Sequence, residues 1–139
     1  MTIVRLFVVT VVALLIFNCW RDSANAADSK SDKWISPAPH AAKKNPASST
    51  PESIAAGEKL YLKTCAMCHG KTGDADGPAV IELNIHPAKL SDPQLATESD
   101  GSLFWKMTTG RKPMPAYGKR LSETDRWNLV NYVRTLSKR

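Results

Sequence analysis

An all-α domain of short helices is the fold class this sequence predicts. Three features of its 139 residues carry that expectation: a helical pattern opening at Pro51, a second running from Ser122 to Ser137, and a stretch between residues 70 and 118 heavily punctuated by glycine and proline. No run of alternating β-branched residues is long enough to suggest a sheet. The length suits one small globular domain with flanking segments and leaves no room for two independent cores.

The composition excludes several classes. Three Phe, four Trp and three Tyr argue against a wholly disordered chain. Nineteen Lys and Arg against thirteen Asp and Glu give a formal charge of +6, but the excess is scattered and lacks the dense basic stripe of a nucleic-acid binder. Three cysteines cannot all pair in disulfides, so cysteine is expected to serve another chemistry.

The chain is read in three parts. Arg5 precedes the uncharged run Leu6 to Phe17, and Ala24-Asn25-Ala26 supplies a small-x-small pattern, so residues 1–26 are read as a signal peptide cleaved after Ala26, with an uncleaved anchor as the alternative. Cys19 then leaves with the signal. Export places the protein in the periplasm or on the outer face of the cytoplasmic membrane. Residues 27–50 are rich in Pro, Ala, Ser and Lys, offer little apolar surface beyond Trp34 and Ile35, and are expected to form a flexible linker, with His40 solvated. Residues 51–139 form the folded domain.

That domain opens with Thr50 as N-cap and Pro51 at the first helical position. Gly57 inside this helix costs about 1 kcal/mol relative to alanine, a loss that a close helix crossing would justify. Gly57, Tyr61 and Cys65 follow at i, i+4 and i+8. The expected partner is the last helix, which starts at a capping box of Ser122 and Asp125 and repeats Leu129, Tyr132, Val133 and Leu136 at helical spacing. Leu129 and Tyr132 are expected against Gly57 and Tyr61.

Cys65-Ala66-Met67-Cys68-His69 is the chemistry-bearing motif, C-x-x-C-H. Two thiols three positions apart at a helix end can each add to one vinyl group of a haem, and the adjacent histidine can then bind the iron. A thioredoxin-like redox pair would need a strand before it, and a structural zinc site would need further ligands. For the sixth coordination position the mature chain offers Met67, Met107 and Met114. Met67 lies between the attachment cysteines. Met107 falls at core spacing in an expected helix from Asp100 to Gly110. Met114 lies in Lys112-Pro113-Met114-Pro115, where prolines on both sides stiffen the backbone, so Met114 is assigned as distal ligand with His86 as rival. A backbone carbonyl near Pro87 is expected to orient His69, and Leu90 to cover the ring edge. Asp74-Ala75-Asp76-Gly77 has part of a calcium-loop pattern but lacks the later bidentate carboxylate, and is read as a turn-rich loop.

These residues resemble the small monohaem class of c-type cytochromes. The likeness rests on the C-x-x-C-H motif, the Gly57 and Tyr61 helix, Pro113-Met114-Pro115-Ala116-Tyr117 and the helix from Ser122, in the family's order over nearly all of residues 51 to 139. The Phe104-Trp105 helix and Asp125-Arg126-Trp127 are also similar to monohaem subunits of larger respiratory assemblies. The loop around His86 departs from the mitochondrial type. The resemblance implies a fold of three to five short helices around one covalent haem c, with N- and C-terminal helices crossing, His69 and Met114 on the iron, and electron transfer rather than catalysis. Redox proteins are the expected partners, with Arg111, Lys112, Lys119 and Arg120 forming a positive patch for acidic surfaces. Two alternatives stand beside the carrier: a haem subunit of a membrane-bound oxidoreductase, and a haem enzyme with an open distal position.

Overall fold

The structure, a computed structural model, describes residues 33–137, which divide between a unit ending at Trp34 and a compact unit beginning at Ile35. The second unit is all-α among the described residues. Its helices are α1 (Ala38–Ala41), α2 (Pro51–Thr64), α3 (Ala66–His69), α4 (Ala79–Glu82), a 3-10 turn (Pro93–Thr97), α5 (Asp100–Thr109) and α6 (Glu123–Leu136). Among the described residues, extended pairing is limited to an isolated bridge between Arg111 and Met114. The expected signal peptide and residues 27–32 lie outside the described residues. Among those described, no helix is long and apolar enough to cross a membrane.

Local sequence sets the helix starts. Thr50 accepts the amide of Ser53 ahead of Pro51, Ser99 accepts the amide of Ser102 at the head of α5, and Ser122 with Asp125 closes a reciprocal capping box on α6. Each cap satisfies amides that a first helical turn leaves without partners.

The fold is organised by the crossing of α2 and α6, the most extensive helix pair. Gly57 lies against the backbone carbonyl of Asn128, and a Cβ there would also fall 2.9 Å from Cβ of Tyr132. The contact register is therefore Asn128 and Tyr132, one residue away from the expected Leu129 at its first position. The Tyr61 and Tyr132 rings meet at 5.1 Å, and Tyr61, Leu129, Val130, Val133 and Leu136 are buried around them. On the other side α5 brings Phe104 onto Trp127, stacked at 4.0 Å.

Residues 36–50 correct the linker expectation. They pack on α5 and α6 and form part of the unit. Ser36, buried, donates to Ser102 at 3.0 Å. Ser99 donates to the carbonyl of Ala41, and Gly101 is so close to the α1 turn that a Cβ would fall 2.6 Å from the Lys43 carbonyl. Lys43 sits over the Phe104 and Trp127 rings at 4.9 and 5.5 Å and pairs with Glu123. Asn131, 5% exposed, accepts from Asn45 and donates to Ser53 and to the carbonyls of Ala47 and Ser48. The strap lacks apolar bulk, as read, but polar groups and backbone carbonyls hold it in place.

Two outcomes follow from this packing. Gly57→Ala is expected to destabilise the protein by about 3 kcal/mol, because the crossing must open to admit a methyl group against backbone; urea unfolding measures it, and an unchanged midpoint would contradict the close crossing. Asn131→Ala is expected to cost about 1–3 kcal/mol by stranding the strap's polar partners. Combined with Asn45→Ala, its cost should fall short of the sum of the two singles, since both remove one shared bond.

Candidate functional site

The C-x-x-C-H segment hangs from the C-terminal end of α2. Cys65 caps that helix, its amide donating to the Tyr61 carbonyl, and the backbone turns at φ −116° before α3 begins. Cys68 and His69 lie in α3, both amides donating back to the Cys65 carbonyl at 3.1 and 2.9 Å. Cys65 and Cys68 are free thiols, each partly buried. Gly70, at φ +76°, ends α3 in the left-handed region that glycine adopts without strain.

Side chains from elsewhere pin the ends of this segment. The Tyr61 hydroxyl donates to the Gly70 carbonyl at 2.7 Å. The Tyr117 hydroxyl donates to the Thr64 carbonyl at 2.8 Å. Both phenols are pushed above their ordinary range, chiefly by burial, with Cys65 adding to it. They act as fixed neutral donors. Sequence reasoning placed both tyrosines in informative segments but assigned neither hydroxyl; nothing local signals a bond to a carbonyl nine or fifty-three residues away.

His69 is oriented as a ligand would be. Its Nδ1–H donates to the Ala88 carbonyl at 2.9 Å. That bond fixes the tautomer and leaves the lone pair on Nε2. The acceptor lies one residue beyond Pro87, where a carbonyl had been expected. Burial pushes the His69 pKa down, outweighing the Ala88 bond that raises it, so the ring is held neutral, the form that binds metal. Leu90 packs against the core, and its amide donates to the Gly73 carbonyl at 2.7 Å. Pro87 is half-buried and His86 exposed.

The Met114 loop is tied to α5. Gly110 ends that helix at φ +62°, the Met114 amide donates to the Arg111 carbonyl at 2.8 Å, and the amides of Tyr117 and Gly118 donate to the carbonyls of Met107 and Thr108. Met114 is half-buried, the Lys112–Pro113 bond is cis, and Arg111, Lys112, Lys119 and Arg120 are exposed around it. Met107 packs against the core, as its spacing indicated.

The donor set suits a haem better than the rival groups. The C-x-x-C pair follows a helix, so the strand of a thioredoxin-like motif is missing from its expected place. Burial raises the Cys65 thiol, opposite to the lowered value of a reactive redox thiolate. Among the described residues no group of three or more His, Cys, Asp and Glu side chains gathers for a metal ion. In the calcium-like loop, Asp74 accepts from Thr72 and Ser91, each at 2.7 Å, and pairs with Lys89 at 3.1 Å. Its carboxylate is engaged within the turn-rich loop.

An all-α unit whose two long helices cross close to a C-x-x-C-H segment, with the histidine's outer nitrogen held by a carbonyl, is the architecture of a small monohaem c-type cytochrome. A family model described as "Cytochrome C oxidase, cbb3-type, subunit III" matches residues 52–133, and the chain belongs to this family. It is an electron-transfer cytochrome with one covalently bound haem c. Cytochrome c6 of Alaria esculenta is 34% identical over 83 residues, covering 58% of this chain and 88% of its own. Cytochrome c6 of Synechococcus sp. is 32% identical over 80 residues, covering 58% and 67%. Among solved structures, a chain of the Kuenenia stuttgartiensis reducing HAO-like protein complex aligns with a TM-score of 0.57 and 31% identity over 66% of this chain; that match spans 46% of the other chain.

The Asp74 cluster gives a pH prediction. Hydrogen bonds from Thr72 and Ser91, then Lys89, lower its pKa from 3.8 to about 2. A depressed carboxyl contributes stability that is full above 3.8 and lost as pH falls through about 2. The urea midpoints of wild type and Asp74→Asn should therefore differ at pH 7, converge between these two values and coincide below them. A gap independent of pH would contradict the assignment.

Proposed function

We propose that this chain is an exported electron carrier in which Cys65 and Cys68 form the two thioether links, His69 is the proximal iron ligand through Nε2, and Met114 is the distal ligand. The observation that carries the reading is the 2.9 Å bond from His69 Nδ1 to the Ala88 carbonyl beside two free thiols at a helix end. When bound, the haem supplies a one-electron ferric/ferrous couple. The protein's residues do the rest. Cys65 and Cys68 would hold the group in register with the backbone, the Ala88 carbonyl aims His69, and burial keeps its ring neutral. Leu90 and Pro87 line the proximal side. Met114 offers a soft, uncharged sulfur that favours the reduced ion and raises the potential. With His69 and Met114 both committed to holding the iron, the chain would leave no open position for a substrate, and a carrier fits better than an enzyme with an open site.

The four exposed cations around Met114 favour redox partners with acidic surfaces, reached outside the cytoplasm. A second reading, a haem subunit within a larger membrane-associated assembly, is favoured by the likeness to a chain from a multi-protein complex.

Denaturation followed by acidified-solvent extraction tests the attachment. Wild type should keep its pigment on the polypeptide, and a double Cys65→Ser, Cys68→Ser variant should release it. Pigment freely extracted from wild type would overturn the reading. Reduced wild type should bind carbon monoxide poorly and Met114→Ala readily; equal binding would remove Met114 from the iron. For docking, reversing Arg111, Lys112, Lys119 and Arg120 to Glu should slow electron transfer with an acidic partner and invert its salt dependence, because added salt then screens repulsion instead of attraction. A salt-insensitive wild type would contradict it. A carbonate-resistant membrane pool would select the subunit over the diffusing carrier.

A further inference from the structure

We propose that Tyr117 is a positioning residue for the distal ligand: its hydroxyl ties the loop carrying Met114 to the end of the haem-attachment helix. The proposal rests on the assignment of Met114 to iron and goes on to ask what sets that sulfur's distance from the attachment segment.

The loop is well fixed to α5 by its own backbone. Gly110 folds it so closely that a Cβ there would fall 2.6 Å from the Ala116 amide nitrogen. Tyr117 and Gly118 donate to the last turn of α5, and the amides of Arg120 and Leu121 donate back to the Tyr117 carbonyl, each at 3.0 Å. These bonds place Met114 relative to α5. They do not place it relative to Cys65, which caps α2. Tyr117 supplies that link. It lies three positions after Met114, is 6% exposed, and sends its hydroxyl 2.8 Å to the Thr64 carbonyl, across 53 residues of sequence. Thr64 is the last residue of α2 and precedes Cys65. Its carbonyl is one of those a helix end leaves without an intrahelical partner. A phenol ring is a rigid spacer, and the Arg120 guanidinium lies over it at 5.7 Å. One side chain thus spans from the distal loop to the backbone that carries the first thioether.

Tyr117→Phe keeps the ring and removes the tie. The ferric holoprotein is titrated with imidazole, which competes for the distal position, and the thioether-to-iron charge-transfer absorption is followed alongside. Tyr117→Phe should bind imidazole roughly two- to tenfold more tightly than wild type, the range expected for loss of one net hydrogen bond from the competing state. Ser102→Ala is the comparison. It breaks the buried Ser36–Ser102 bond at the opposite end of α5, and should lower the urea midpoint while leaving imidazole affinity unchanged. If Tyr117→Phe matches wild type, or Ser102→Ala raises affinity equally, positioning by Tyr117 is overturned. Met114→Ala separates the two readings. Imidazole affinity unchanged by Met114→Ala means that the ligand assignment has failed, taking this proposal with it. A marked rise in Met114→Ala with none in Tyr117→Phe leaves the ligand in place and removes only the tie.

Discussion

The approach of Gly57 to the Asn128 carbonyl is the constraint on which the other features depend. It lets α2 and α6 cross without side chains between them, and it brings the Tyr61 and Tyr132 rings into contact one turn further on. Placing glycine mid-helix costs about 1 kcal/mol. Burial of Tyr61, Tyr132, Val133 and Leu136 along the same seam offsets that several times over, at about 1.5–3 kcal/mol for each large side chain. The crossing also has a directional consequence. A deeply buried Tyr61 has its hydroxyl at a fixed place, and that place is the Gly70 carbonyl just after the C-x-x-C-H segment.

A common device then recurs around the motif. Two adjacent helix ends, the close of α2 at Thr64 and the close of α3 near Gly70, leave carbonyls in need of donors. Each receives one from a buried tyrosine outside the motif: Tyr117 for Thr64, Tyr61 for Gly70. The third side-chain bond runs the other way, from His69 to the Ala88 carbonyl. Five residues of chemistry are held by donors and acceptors that do not take part in it. Such bonds are costly to leave unmade in a low-dielectric surround, so the geometry of the C-x-x-C-H segment is pre-set by the polypeptide.

Legibility in the sequence followed the range of the interaction. Caps at Thr50, Ser99 and Ser122 act over three residues, and those at Thr50 and Ser122 could be read directly from residue type. The α2–α6 crossing was readable because a helical glycine is anomalous and its i+4 and i+8 neighbours were informative; its register at Asn128 was not, because backbone contacts carry no side-chain signal. The two tyrosine hydroxyls were invisible for the same reason, their acceptors being carbonyls common to every residue. The strap was missed on a different ground. Apolar content alone underestimates what folds here, because residues 36–50 are held by Ser36, Asn45, Asn131 and a Gly101 surface that admits backbone. The aliphatic stem and charge of Lys43 over two aromatic rings supply the rest.

That strap extends the unit beyond the family match at residues 52–133, and its placement bears on how the site is reached. α5 is a rod of ten residues, about 15 Å long. Its first turn receives the strap at Ser99, Gly101 and Ser102, and its last turn carries the Met114 loop through the Met107 and Thr108 carbonyls. The chain therefore enters the unit at the end of α5 remote from the cations around Met114. A freely diffusing carrier and a subunit held by its N-terminal segment would both leave that charged loop uncovered by the strap. The exposed cations around Met114 are open in either case, so the geometry of the site does not choose between them.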